Sequence, residues 1–351
     1  MMLRTVKHTA FLLVLGAAFL CGCSLIDEDQ SDCGKELGVD YELRLVTNVS
    51  TELEAKLGMS TELSLSAALR THLQSVFTDH ADDVDLSFYD VEGDSLRLHH
   101  EQHQMDASRT SYSLYIPVRR YMHLAVANVQ NNGPVRLERD EACHPSVLVQ
   151  EKADTVDSQR TGLFTARLPM DIEVGKDQQF DVRLYMANCA TALVLDTTQV
   201  HVKDIKVFAK GFASSFSIAD SLYHFTPGTV VRTEKVTPAK GSNENTACFA
   251  AVTFPTRDAK KKDSKVIIET PEIFDYEFSE DVLFELHVLV TLFDGTTTLT
   301  ELRFHRPVKA GQLLIINGLV REDGSANTDD PTVGVSVTLD WKQGMTIDVP
   351  L

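Results

Sequence analysis

Basic residues are scarce for a chain of this length: 33 Lys and Arg stand against 51 Asp and Glu among 351 residues, a formal charge of −18. A surface that grips phosphates needs clustered cations, so nucleic acid is excluded as a partner class. The one basic cluster, Arg257 with Lys260, Lys261, Lys262 and Lys265, reads as a solvated loop. Tryptophan is nearly missing, with Trp341 alone, and aromatics make up only 7% of the chain, which argues against broad sugar-stacking platforms. Catalytic signatures are absent as well. There is no Gly-x-Ser-x-Gly elbow, no phosphate-cradling glycine loop, no His-Glu-x-x-His and no Cys-x-x-Cys pair. The expectation is a protein that is not an enzyme, with no catalytic residue, no cofactor and no metal site.

Two clusters test that expectation. On a helix, His99 and His103 of His99-His100-Glu101-Gln102-His103 would share a face and could ligate a metal. They follow a strand-like segment and lack a third ligand, so a solvated hairpin loop is expected. Asp79, Asp82, Asp83 and Asp85 lack the spacing of a calcium loop and read as a solvated helix-to-strand connection.

What is present begins at the N-terminus. Arg4 and Lys7 precede the apolar run Phe11-Leu12-Leu13-Val14-Leu15-Gly16-Ala17-Ala18-Phe19, and Leu20-Cys21-Gly22-Cys23 follows. This is the charged, apolar and small-residue order of a secretory signal. The cysteine just past Gly22 resembles a bacterial lipobox, which is cut before the cysteine and acylated on it. The run is too short for the ~20 residues of a membrane span, and no later apolar segment is long enough. Removing residues 1–22 takes away Arg4 and Lys7 and no acid, leaving a charge of −20, 31 basic residues against 51 acidic.

Asp27, Glu28, Asp29 and Asp32 follow Cys23 closely. They are either a solvated tether repelled by anionic lipid or a run that resembles the surface-export signal of Bacteroidetes lipoproteins. Cys21 leaves with the signal and Cys23 carries lipid. Cys33, Cys143, Cys189 and Cys248 remain in an oxidising compartment, as one or two disulfides or as buried thiols.

After residue 37 a period of two dominates, the mark of half-buried strands. Val39, Tyr41, Leu43 and Leu45 alternate with polar residues, as do Val84, Leu86 and Phe88 before the turn Glu92-Gly93-Asp94. Strands are also expected over 111–118 and 122–129, the second closed by Asn131-Asn132-Gly133-Pro134. Phe180, Val182, Leu184 and Met186 form another. Residues 282–293 meet Asp294-Gly295, a hairpin signal, and pair with 297–304. Val333, Val335, Val337, Leu339 and Trp341 alternate cleanly near the end, and Met345, Ile347, Val349 and Leu351 resume the pattern. One helix is expected from an N-cap at Thr61, with Leu65, Leu69, Leu73, Val76 and Phe77 on one stripe. Residues 140–160 read as a long loop, and a boundary fits near Gly175-Lys176-Asp177. Many short strands with turns between them point to Greek-key β-sandwiches. The expected divisions are a signal over 1–22, an acidic tether over 23–36, and domains over 37–176 and 177–351.

The stretch Cys23-Ser24-Leu25-Ile26-Asp27-Glu28-Asp29-Gln30-Ser31-Asp32-Cys33 resembles the opening of mature fimbrial anchor lipoproteins of Bacteroidetes. Phe180-Asp181-Val182-Arg183-Leu184-Tyr185-Met186-Ala187-Asn188-Cys189 and the closing strand with Trp341 are similar to that family too, whereas the Thr61–Phe77 segment matches no family feature. The resemblance implies an all-β chain with one short helix, built as two tandem transthyretin-like β-sandwich domains. It implies acylation, such as palmitate, at Cys23 and an outer-membrane address facing the exterior. The implied partners are that membrane and a fimbrial shaft subunit, a fimbrillin, whose polymer the protein holds at its base and limits in length. Contact could use β-strand addition. Arg160-Thr161, in an expected loop, is either a surface arginine or a site of proteolytic trimming. Two other readings remain open: a fimbrial tip or shaft subunit, and a surface glycan-binding lipoprotein.

Overall fold

The computed structural model describes residues 37–46, 63–77, 81–93, 96–105, 111–138, 147–150, 153, 155–174, 176, 178–226, 229–237, 245–258, 282–330 and 333–338. Thr61, Trp341 and the alternating residues after 338 lie outside these, as do Lys260, Lys261, Lys262 and Lys265. The chain begins with β1 (Leu37–Val46), helix α1 (Leu63–Leu73), β2 (Asp83–Asp90), β3 (Arg97–Gln104), β4 (Ser111–Ile116) and β5 (Arg120–Ala127). Short strands β6 (Val135–Glu138), β7 (Val147–Gln150) and β8 (Thr155–Asp157) precede the longer β9 (Phe164–Asp171) and β10 (Gln179–Met186). Next come β11 (Cys189–Asp196), β12 (Val202–Lys210), β13 (Ser215–Ser217), β14 (Leu222–His224), β15 (Val230–Arg232) and β16 (Glu234–Val236). The described chain closes with β17 (Thr246–Thr253), β18 (Phe284–Leu292), β19 (Thr297–Phe304), β20 (Leu313–Val320), β21 (Ala326–Thr328) and β22 (Val333–Thr338). Among the described residues the fold is all-β with one short helix.

Seven strands form the first sheet, in the order β3-β2-β5-β9-β10-β1-β4. Strands β9 and β10 share only two register pairs, Tyr185 with Thr165 and Met186 with Phe164. Away from that corner the sheet opens and folds over on itself. The edge strands then meet: the Tyr112 ring of β4 stacks on His103 of β3, 4.9 Å between centroids. One layer supplies Val84, Leu86 and Phe88 to the core, the other Leu114, Ile116, Val182 and Leu184, and α1 adds Leu65, Leu69 and Leu73. This is a β-sandwich closed by a helix whose i, i+4 leucines face inward.

The strand after the expected boundary does not open a new unit. Strand β10 pairs parallel with β1, Asp40 opposite Gln179 through Val46 opposite Tyr185, so it belongs to the first sandwich. The chain changes sheet at Ala187 and Asn188 instead. Periodicity marks a strand but says nothing about which partner it finds.

Beyond Asn188 a five-stranded sheet, β16-β17-β11-β20-β21, faces a six-stranded one, β22-β19-β18-β12-β15-β8. Cys189, Leu193, Leu195, Phe249 and Ile316 fill the space between them with Phe284, Val288, Leu302 and Phe304. The other face of the five-stranded sheet is covered too. Its Ala190, Ala192, Ala250 and Leu313 pack into the first sandwich's core. Small side chains on that face let the two layers approach, and burial on both faces accounts for the near-continuous apolar strings of β11 and β17. The two halves share a plan, since β11 runs parallel with β20 as β1 does with β10.

The Asp294-Gly295 hairpin forms as expected. Gly295 takes φ +90° and its N–H donates to the Leu292 carbonyl at 3.1 Å, a three-residue turn that needs glycine at its last position. A second glycine is sterically compelled. A Cβ on Gly162 would lie 2.1 Å from the Val76 carbonyl oxygen and 2.9 Å from Met186 Cε. Backbone cannot step aside as a side-chain end can, so Gly162→Ala should lower stability by about 3 kcal/mol, read as a lower denaturant midpoint. An unchanged midpoint would mean the α1 end can move freely.

Residues 140–160 are not one long loop, because β7 and β8 lie within them. Strand β7 pairs with β6 and β13, and β8 runs parallel with β15. Four and three residues are too few for an alternation to register. Strand β7 joins β6, β13 and β14 in a four-stranded sheet, β14-β13-β7-β6, over the outer face of β5, while β8 is an edge of the six-stranded sheet. Leu124, Val126, Leu148, Phe216 and Phe254 form the small core beneath it.

Candidate functional site

Cys23, with the acidic tether, lies outside the described residues, as do Cys33 and Cys143. What the structure supplies is where the chain from Cys23 enters. Leu37, the first residue of β1, pairs with Ile116, the last of β4, at the end of the first sandwich formed by the β2–β3, β4–β5 and β9–β10 connections.

Cys189 and Cys248 are free buried thiols. They do not face each other, because Cys189 pairs with Thr253 while Cys248 pairs with Val194. Five positions along a strand separate them, so no disulfide joins them. Burial pushes both thiols up to about 12, which leaves them unreactive at neutral pH.

The histidine cluster is not a solvated loop. It is strand β3, the edge of the first sheet, with His99, Glu101 and His103 turned to the inner face. Glu101 bridges the pair, its Oε1 2.8 Å from His99 Nε2 and its Oε2 2.7 Å from His103 Nε2. Both rings also meet aromatics, His99 with Phe88 and His103 with Tyr112. An inward row written in His and Glu does not register as a hydrophobic alternation. Among the described residues no group of three His, Cys, Asp or Glu is arranged to hold a metal ion.

The acidic cluster is likewise structural in part. Asp83 and Asp85 are buried residues of β2, while Asp79 lies outside the described residues. Asp83 accepts the N–H groups of Val129 and Gln130 at 3.2 and 3.3 Å, and burial still raises its carboxyl above the usual range. Asp85 accepts the Ser87 hydroxyl at 3.3 Å and meets His100 Nε2 at 2.9 Å. They border an open recess of ≈ 290 Å³ whose other walls include Gln102, Gln130 and Arg136.

Sequence reasoning did not single out His123, which is fully buried on β5. Its ring stacks on Phe88 at 4.2 Å and its Nδ1–H donates to the Ser87 carbonyl at 3.1 Å. Burial pushes it down to about 4. Between about pH 6.5 and about 4 the unfolded chain therefore takes up a proton that the folded chain refuses. Stability carried at neutral pH falls by about 3 kcal/mol across that window. His123→Phe keeps a stacked ring and removes the titrating group, so it should flatten this part of a urea-denaturation pH profile. An equal acid loss in both proteins would contradict the assignment.

Arg160-Thr161 is a poor protease site in the folded chain. The Arg160 side chain is exposed, but its N–H donates to the Asn132 carbonyl at 2.9 Å and its carbonyl accepts the Ser75 hydroxyl at 3.2 Å. Thr161 is buried, with its hydroxyl donating to the Asn128 carbonyl at 2.9 Å. A protease would have to unfold this segment to bind it.

An apolar sheet edge is exposed at β22. This strand pairs with β19 on one side, and the order of its sheet leaves the other side without a strand among the described residues. Val335 and Val337 lie opposite the buried Leu302 and Thr300, yet they are 42% and 41% exposed. Edges of this kind are templates for another strand. By contrast, the exposed aromatics do not converge. Tyr115 stands beside Gly38 and Tyr185 beside Val46, eight positions apart on β1 and roughly 25 Å away by strand rise, while Phe293 caps a hairpin of the other half.

No protein-family model matches the chain, and no curated protein matches it. Solved structures do. A candidate adhesin from Bacteroides ovatus superposes with a TM-score of 0.50 at 11% identity, over 88% of this chain and 96% of its own. A second from that species gives 0.49 at 14%, over 80% and 87%. The fimbrial anchor protein Mfa2 from Porphyromonas gingivalis gives 0.45 at 10%, over 87% and 99%. The match at a TM-score of 0.50, at 11% identity, establishes a shared fold.

Proposed function

We propose that this protein is a non-catalytic lipoprotein of the cell surface that holds a fimbria at its base and limits its length. It is tied to the outer membrane through acylated Cys23 and contacts the first shaft subunit through a sheet edge. The observation that carries the reading is the pairing of two ends. The tether from Cys23 joins β1 at one end of the first sandwich, and the last described strand, β22, offers in the second an apolar edge that no described strand covers. Strand β22 runs from Val333 beside Phe304 to Thr338 beside Leu299, toward the hairpin that also meets Val202 just after β11 has run its length. A base subunit needs that polarity, with membrane at one end and polymer at the other. Strand addition at such an edge supplies main-chain hydrogen bonds for affinity and valine contacts for register. The scattered aromatics give a glycan-binding reading no platform among the described residues.

Cross-linking whole cells and isolating this chain tests the proposal. A fimbrial shaft subunit should come with it, through peptides that include residues of β22. Recovery of nutrient-uptake proteins or of no polymer subunit would refute the anchor role.

A further inference from the structure

The end of the first sandwich that receives the tether carries aliphatic side chains on loop tips rather than on a sheet face. Val91 and Leu96 flank the β2–β3 turn, 54% and 39% exposed, and Val174 in the β9–β10 connection is 67% exposed. These loops are fastened together. The Val91 N–H donates to the Arg120 carbonyl at 3.1 Å, the Ile172 N–H to the Arg119 carbonyl at 3.0 Å, and the Asp90 N–H to the Leu96 carbonyl at 2.8 Å. All three tips are therefore held around the β4–β5 turn, next to the point where β1 begins.

We infer that this loop end docks on the lipid surface that holds the protein's own acyl chains, with Val91, Leu96 and Val174 entering the headgroup boundary. The inference rests on the proposed acylation of Cys23. Leu37 lies fourteen positions after Cys23, a reach of at most about 50 Å when fully extended, so the tether alone would leave the body free to tumble. It also keeps this end near the membrane at high effective concentration, where a small apolar contact suffices. Lipid fits the charge pattern. The cations here are already matched within the protein: Arg119 with Asp90 at 3.0 Å, Arg120 with Glu92 and Asp171 at 3.6 and 3.4 Å, and Lys176 with Glu173. With Arg119, Arg120 and Lys176 so paired, the attraction to lipid is apolar rather than electrostatic.

Acylated full-length protein in vesicles of phosphatidylethanolamine and phosphatidylglycerol, with or without brominated acyl chains, tests this through Val174→Trp. Phe293→Trp, in the hairpin of the other half, is the control, and both are compared with the unsubstituted chain. The expected result is that V174W emits at shorter wavelength and is quenched by brominated lipid at low and high salt, while F293W shows neither. If the protein floats with the vesicles but V174W behaves like F293W, docking is overturned and acylation stands. If V174W shifts without bromolipid quenching, a protein contact covers the tip and docking is again overturned. Mass spectrometry showing an unmodified Cys23 overturns both.

Discussion

Replacing Cys23 with alanine should transfer the protein almost entirely from the membrane fraction to the medium, together with any fimbriae it holds. Each buried methylene contributes roughly 0.8 kcal/mol, and two or three chains make anchoring stable where one does not. Little else could substitute for them. No helix among the described residues is long and apolar enough to cross a membrane. Without residues 1–22 the chain would carry a charge of −20, which an anionic surface repels. Three aliphatic loop tips cannot hold a body of this size once the tether no longer confines them. The folded sandwiches should be untouched, because the residue lies fourteen positions ahead of β1. Fractionation with palmitate labelling reads the first effect and thermal denaturation the second. Fimbriae that stay cell-bound at normal length in the variant would refute the anchor role.

Strands whose apolar residues alternate with polar ones were legible in the sequence. Val84, Leu86 and Phe88, the run ending in Met186, and the hairpin at Asp294-Gly295 all stand where their alternation or turn chemistry puts them. The leucines at 65, 69 and 73 likewise define α1. What could not be read has three physical causes. Strands β11 and β17 bury both faces, so their alternation is erased. Strand β3 uses His99, Glu101 and His103 for its inward face, where Glu101 joins the rings, Tyr112 stacks on His103 and Phe88 packs at a tilt against His99. Strands β7 and β8 are too short to carry a period. The pairing of β10 with β1 spans most of the first half of the chain, a long-range choice that a local pattern does not encode. The candidate site divides the same way. Cys23 is proposed from four residues of sequence alone, whereas the β22 edge and the apolar loop end depend on which described strands lack a neighbour and which turns are fastened together.

Asn188→Leu should be among the most damaging substitutions in the folded body, because Asn188 joins the sandwiches from inside. It is fully buried between β10 and β11. Its Oδ1 accepts the Leu163 N–H at 3.1 Å, and its Nδ2 donates to Gln159 Oε1 at 2.9 Å and to the Thr161 carbonyl at 2.8 Å. Its carbonyl accepts the Gly311 N–H at 2.8 Å, which ties the crossing to the start of β20. The segment it holds reaches both ways. Asn132 Nδ2 donates to the Thr161 carbonyl at 3.1 Å on one side, while the Gln159 N–H donates to the Val252 carbonyl at 3.0 Å and the Ser158 hydroxyl accepts the Val252 N–H at 2.9 Å on the other. Leucine fills a similar volume but strands the Leu163 N–H and weakens the hold on Gln159, whose Nε2 already lacks a partner. Each buried group left unsatisfied costs about 1–3 kcal/mol, so a loss of about 4 kcal/mol is expected. The hub also couples the halves, so calorimetry should show one transition in the unsubstituted protein and two in N188L, the lower one belonging to the first sandwich. One transition at an unchanged temperature would mean that packing of Ala190, Ala192 and Leu313 against the first core couples the sandwiches without this network.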